Sequence, residues 1–452
     1  MKKRLAIYLA TAMLFMTVSC IEDEDDVVLS PYAMMDSFSI GSVSSEYPSF
    51  TAEGLDTFVT KTIDFSSRRF TIDQVAGEVY NVDSLPFATK VDKLLVNMQV
   101  TGYASIYVDS IGLYDYFSSS DSIDFSYPRK FRITSADSEY SRDYIVKVNV
   151  HQVEPELMVW KKQAAIDGLC PLRALEFDGS MCLFGEKDGK WAVAKSELSG
   201  VPLWQQALVE GLPLTANLAT VQIFKGALYA VAADGLYTST DAVNWSLCCG
   251  NSGLLAIVGA SDADGKMWVA SADELFFTTD GENIESAGSL PAGFPVYGVS
   301  IASYILSHHS GIVRYMLVGY ADESMDGNVA VWSKLSTEEG WARYENSDNP
   351  YACPALKGLS VVRYDNCLYA LGGAGVVNGV DVDAFSSFYI SKDNGITWKI
   401  PAGFYQRMPA ALNGKDVPFA VAVDSNNMMW IICGGEDSAV WKGIINRLGF
   451  KN

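Results

Sequence analysis

Two stretches set one above the other decide the fold. The first is Gly226-Ala-Leu-Tyr-Ala-Val-Ala-Ala-Asp234-Gly-Leu-Tyr-Thr-Ser-Thr-Asp241-Ala-Val-Asn244-Trp245. The second is Gly265-Lys-Met-Trp-Val-Ala-Ser-Ala-Asp273-Glu-Leu-Phe-Phe-Thr-Thr-Asp280-Gly-Glu-Asn283-Ile284. They align without a gap. Each carries an apolar strand, a polar turn, a second strand, an Asp turn and an apolar residue, which is most of a four-stranded antiparallel sheet.

Weaker copies keep the same order. Met181-Cys-Leu-Phe-Gly185 precedes Trp191-Ala-Val-Ala194 and Trp204; Tyr315-Met-Leu-Val-Gly319 precedes Val329-Ala-Val-Trp332 and Trp341. Leu368-Tyr-Ala-Leu-Gly372 precedes Phe388-Tyr-Ile390 and Trp398, and Met429-Trp-Ile-Ile-Cys-Gly434 precedes Ala439-Val-Trp441. Six helix-free sheets in tandem read as a β-propeller over 156–452, with seven blades the alternative. The sixth unit runs out one strand short. Met158-Val-Trp160-Lys-Lys-Gln163-Ala164 echoes Trp204-Gln205-Gln206-Ala207, so the 156–165 segment is expected to close the ring as the missing outer strand.

Upstream, Leu94, Val96, Met98 and Val100 alternate with Leu95, Asn97 and Gln99, as do Tyr144, Val146, Val148 and Val150 with Ile145, Lys147 and Asn149. The segment 30–152 therefore reads as a β-sandwich. Its Phe131-x-Ile133 and Tyr144-x-Val146 pair, around the polar turn Ser135-Ala136-Asp137-Ser138-Glu139, resembles the last hairpin of bacterial immunoglobulin-like domains. The fold class is all-β: a sandwich-like domain, then a propeller.

The first residues are an address. Lys2-Lys3-Arg4 is a positive start, and Leu5 to Val18 is an apolar run of signal-peptide length, too short for a comfortable membrane span. Residues 1–19 are expected to be removed. Thr17-Val18-Ser19-Cys20 resembles a bacterial lipobox, which implies lipid on Cys20 and a membrane as partner. Glu22 to Asp26 is an unbroken acidic run in a 20–29 tether, and it resembles the export signal of Bacteroidetes surface lipoproteins. With the small β domain carrying Tyr80-Asn81-Val82-Asp83-Ser84-Leu85-Pro86 and the propeller, nearly the whole chain resembles a Bacteroidetes lipoprotein family of unknown function, which implies exposure on the outer membrane.

Composition sets the exclusions. The 452 residues hold 33 Lys+Arg against 54 Asp+Glu, a net charge of −21, with 49% hydrophobic and 12% aromatic residues. That is ample for a packed core and argues against nucleic acid as a partner.

Ser391-Lys-Asp393-Asn-Gly395-Ile-Thr397-Trp398 resembles the Asp-box of sialidase-like (BNR) propellers. Ser239-Thr-Asp241 with Trp245 is a shorter copy, and Asp280 belongs to a third that has lost Ser and Trp. In that family such boxes are structural and peripheral. A sialidase would bring an arginine triad, but Arg173, Arg314, Arg343, Arg363, Arg407 and Arg447 lack its sequence context. Gly372-Gly373 and Gly434-Gly435 resemble kelch blades, yet a copper centre needs a histidine set, and the only histidines are His151, His308 and His309. Beyond Cys20, the seven other cysteines carry no metal spacing, and Cys182, Cys367 and Cys433 read as small core hydrophobes in inner strands. No catalytic residue, metal or cofactor is assigned. The expectation is a surface-anchored binder of a glycan or protein ligand on the propeller's top face, with the insertions near 304–312, 320–328 and 374–386 as ligand elements. A glycan-degrading enzyme or a structural subunit of an outer-membrane assembly is the alternative.

Overall fold

The computed structural model describes residues 29–50, 56–325, 327–344, 349–401 and 405–449, without the side chains of 48–50 and 56–58. The leader, Cys20 and the acidic run lie outside them. The chain divides into two units at Glu154/Pro155. No helix among the described residues is long and apolar enough to cross a membrane.

The first unit is built of three sheets. Met34–Ile40 pairs with Val96–Thr101, and Ser42–Phe50 lies between Asp56–Asp64 and Thr89–Lys90. A six-stranded sheet follows the order Thr71–Asp73, Glu78–Tyr80, Ser141–Lys147, Arg129–Thr134, Tyr103–Val108, Leu113–Tyr116. The period-two patterns point inward as read: Val96, Phe131, Ile133, Tyr144 and Val146 are buried in one core with Phe38. Phe131 stands opposite Tyr144 in the 129–134/141–147 hairpin. Tyr144 ties the sheets together, its Oη accepting the Met35 N–H at 3.2 Å and donating to Gln74 Oε1 at 2.6 Å.

The second unit is a six-bladed propeller. Blades one to four are four-stranded and consecutive, with innermost strands Cys170–Phe177, Gln222–Phe224, Leu254–Ser261 and Tyr297–Leu306. Blade five has Ser360–Tyr364, Cys367–Leu371 and Tyr389–Ser391, with Lys399 bridging to Ile390 where a fourth strand would lie. Its 375–382 insertion folds into a separate small sheet with Ala355–Leu356. Blade six has Phe419–Val423, Met429–Cys433 and Ala439–Ile445, and Met158–Gln163 is its outer strand. The expected closure by the 156–165 segment is what the pairing shows.

Each seam between blades is one apolar cluster. Met181 and Leu183 pack toward blade six, while Cys182 and Phe184 pack toward blade two. A strand buried on both faces has to read as a continuous apolar run, which is why Met181-Cys-Leu-Phe stands out in the sequence. Cys182, Cys367 and Cys433 lie on second strands rather than the innermost ones. Asp178-Gly179 and Asp188-Gly189 hold positive φ at both positions, the geometry that two-residue hairpins of right-twisted strands demand.

Candidate functional site

The innermost strands pair on one side only, so each turns a row of backbone N–H and C=O groups toward the propeller axis. At the end where these strands begin, the axis opens into a cavity of about 440 Å³. Its wall is made by the first residues of the innermost strands of blades one, four, five and six. The innermost strand of blade two has only three residues, and the 3-10 turn Leu218–Thr220 takes its place in the wall. Gly298 holds φ +53°, and a Cβ there would stand 3.0 Å from Met325 Sδ and 3.2 Å from the Tyr320 ring. Glycine thus lets these two side chains approach the wall. A second cavity of about 540 Å³ shares Asn217, Gly298 and Met325 and is lined by residues of blades two, three and four.

Most polar side chains in the wall are committed to the backbone. Ser300 Oγ accepts the Val361 N–H at 2.7 Å, and Asn217 Nδ2 donates to the Leu255 carbonyl at 2.8 Å. Thr220 Oγ1 accepts the Ile257 N–H at 3.3 Å. Lys357 and Asp416 pair at the rim, 2.9 Å apart and both well exposed. Asp416 is the sole carboxylate among the described lining residues.

Arg173 is different. Leu175 and Phe177 face the seam with blade two, so by strand alternation Arg173 projects on that side, one layer above them. It is half-buried and lines the cavity. Its Nε is sealed from solvent with no hydrogen-bond partner, and among the described residues no carboxylate pairs with it. Burial pulls the guanidinium down to about 10, with no neighbouring charge acting against that. It therefore remains a cation at neutral pH, held without a counter-ion.

The Asp-box-like turns lie at the opposite end, between third and fourth strands. Asp393 accepts the Thr397 N–H at 2.8 Å and the Thr397 hydroxyl at 2.6 Å, and the Ser391 hydroxyl reaches it at 2.8 Å. Gly395 N–H donates to Ser391 Oγ at 2.7 Å, and the buried Trp398 indole donates to the Gly395 carbonyl at 3.0 Å. Asp241 accepts the Val243 and Asn244 N–H groups, Ser239 Oγ joins it at 3.2 Å, and Trp245 closes on the Ala242 carbonyl. Asp280 repeats the pattern with Glu282 and Asn283. For Asp241 the Asn244 amide, and for Asp280 the Asn283 N–H, is the main force holding the carboxyl below its usual range. Desolvation raises the Asp393 carboxyl, but the hydrogen bonds from Thr397, Ser391 and its own backbone together hold it below its usual range. The turns sit in blades five, two and three; they do not come together, and none lines the axial cavity.

Of the three insertions expected to carry ligand contacts, 304–312 is misplaced. It is the hairpin at the far end of Tyr297–Leu306, away from the cavity. The other two lie at the cavity end: Tyr320 and Met325 line the cavity, and the small 375–382 sheet begins beside the lining residue Gly373. His309 opens the second strand of blade four, and no metal-competent group of three ligands occurs among the described residues. Arg173 gained no role from sequence. The available signal was the one basic residue in the innermost strand Cys170–Phe177, flanked by Leu172 and Ala174.

A family model described as the DUF6242 beta propeller domain matches residues 154–452, and one described as the DUF6242 N-terminal domain, a domain of unknown function, matches residues 38–148. No curated protein matches the sequence. Among solved structures, a DUF4623 family protein from Bacteroides eggerthii is 11% identical, covers 91% of this chain and 98% of its own, and has a TM-score of 0.34. A streptogramin B lyase is 13% identical over 63% of this chain and 97% of its own, TM-score 0.37. An alpha-L-arabinanase from Penicillium chrysogenum, complexed with arabinobiose, is 12% identical over 64% of this chain and 99% of its own, TM-score 0.39. Such distant likenesses carry no argument about activity.

Proposed function

The chain belongs to the DUF6242 family, and on that premise we propose that it is a lipid-anchored binding protein of the outer membrane that holds a glycan or protein ligand at the open end of its propeller. The observation that carries this reading is the axial cavity of about 440 Å³, a size suited to a small ligand or to one residue of a larger one. A glycosidase of the usual kind needs two carboxylates across the scissile bond, and the described lining has one, engaged by Lys357. That favours binding over hydrolysis. The address rests on Lys2-Lys3-Arg4, the apolar run to Val18, Cys20 and the acids that follow.

The test is a thermal-shift screen against host and dietary glycans, with product analysis of each mixture and mapping of hits by crystallography. A ligand left intact in the axial cavity supports the reading. Cleavage of a glycan replaces it with the enzymatic one, and binding confined to another surface overturns the placement. For the address, metabolic palmitate labelling lost in Cys20→Ala, together with protease accessibility on intact cells, is the expected result.

A further inference from the structure

We propose that the axial cavity is selective for a small organic acid whose single carboxylate is held by Arg173. The inference rests on the reading of that cavity as a ligand site and specifies its chemistry.

An unpaired cation away from water is costly, and folded chains normally neutralise one with a carboxylate or with hydrogen bonds to carbonyls. Of the other half-buried described arginines most are engaged, while Arg142 meets only the Tyr144 ring and Arg314 shares a sealed, unpartnered Nε. Arg132 holds Asp143, Arg447 holds Asp365 and Glu156, and Arg314 donates to Ser333. Arg173 has no such partner among the described residues, and its Nε is closed off from solvent. It stands in the wall of an open cavity. An acid entering the cavity would supply the missing partner at the Nη groups, which unlike Nε are not sealed.

The chemistry of that partner follows from what surrounds it. A guanidinium presents parallel N–H groups that match a planar carboxylate. The rim cation Lys357 is already held by Asp416, so one positive charge is available and a monoanion balances it. A dianion such as phosphate would keep an uncompensated charge in the cavity. The wall also presents Leu172, Tyr320, Met325 and Phe419, with the Asn217, Thr220, Ser300 and Ser360 side chains tied to backbone, which suits a neutral ring or chain carrying the acid group. The net charge of −21 opposes an extended polyanion.

The experiment is titration calorimetry on the purified full-length protein with sodium glucuronate and sodium cyclohexanecarboxylate, each beside its neutral amide. These two acids separate a sugar acid from an apolar one. The expected result is that at least one acid binds ten-fold or more tightly than its amide, and that Arg173→Met abolishes the difference. Arg173→Met without ligand should unfold at a higher temperature than the parent, because an uncompensated charge has been removed, so loss of binding is separable from loss of fold. Arg173→Lys should recover less than half of the acid-over-amide preference. Equal binding of acid and amide, or an Arg173→Met protein that binds the acid as before, overturns the proposal. If neutral glycans occupy the cavity and no acid is preferred, this inference fails and the binding reading stands. If acids, amides and glycans are all silent there, both fail.

Discussion

Trp160 lies against Gly443, its register partner, so closely that a Cβ at position 443 would stand 2.5 Å from the indole. The ring also stacks on Phe388 at 6.3 Å, and its N–H donates to the Arg407 carbonyl at 2.7 Å. The closing strand is therefore held by side-chain packing as well as by its ladder. Gly443→Val should cost about 1–3 kcal/mol by overpacking, and Trp160→Ala about 2 kcal/mol through lost burial. Denaturant unfolding of each variant measures both. A Gly443→Val protein as stable as the parent would show that the indole moves aside freely.

Arg447 provides a second lock on the same closure. Its guanidinium reaches Glu156 Oε1 at 2.6 Å from Nε and Asp365 Oδ1 at 2.8 Å from Nη1, joining the approach to the closing strand to a hairpin of blade five. Arg447→Ala leaves the largely covered Asp365 carboxylate without its partner and should cost about 1–3 kcal/mol. Arg447→Lys should recover little, since an ammonium cannot span both acids in that geometry. Because both locks secure one strand, a double-mutant cycle with Trp160→Ala should show coupling of about 0.5 kcal/mol or more.

The N-terminal unit should lose stability in acid. Hydrogen bonding from Arg132, at 2.7 Å, holds the Asp143 carboxyl down at about 2, with Lys130 assisting at 2.9 Å. A carboxyl depressed in the folded state contributes its full stabilisation above its unfolded value near 3.9 and loses it as pH falls through about 2. Allowing for partial solvent screening, the contribution is about 1–2 kcal/mol. Unfolding measured from pH 6 to pH 2 should fall more steeply in the parent than in Asp143→Asn.

The Asp-box-like turns should matter for stability and not for ligand. Asp393→Ala removes acceptors for the Thr397 N–H and hydroxyl, at a cost of about 1–3 kcal/mol. Gly395→Ala is strained by φ +92° and meets Met316 Cε at 2.6 Å, so it should cost about 1–3 kcal/mol. Neither should change the affinity of a ligand seated in the axial cavity. A ten-fold change in affinity with little change in stability would place the ligand at the turns instead.

The propeller was legible because second strands buried on both faces leave runs such as Met181-Cys-Leu-Phe and Leu228-Tyr-Ala-Val, and because Asp turns punctuate them at matching places. The closing strand was legible through the echo between Trp160 and Trp204. Arg173 was not, since one arginine in a strand reads the same whether it meets a carboxylate across the seam or an open cavity. The end at which an insertion emerges was also misjudged at 304–312. Length marks that a hairpin is extended, but the end depends on the direction of the strand before it, here Tyr297–Leu306 leading away from the cavity.

Pairing of Met158–Gln163 with Ala439–Ile445 has a consequence for the order of events during synthesis. The ribosome makes the closing strand before any complete blade and its partner after five of them. Throughout that interval a six-residue strand with open backbone groups waits unpaired, and no partial chain can complete the ring. The N-terminal unit suffers no such delay, because the strand pairings among its described residues lie within residues 34–150. Maturation should therefore come in two beats: an early one that can finish while the chain is still emerging, and a late one that begins only when the final strands are free.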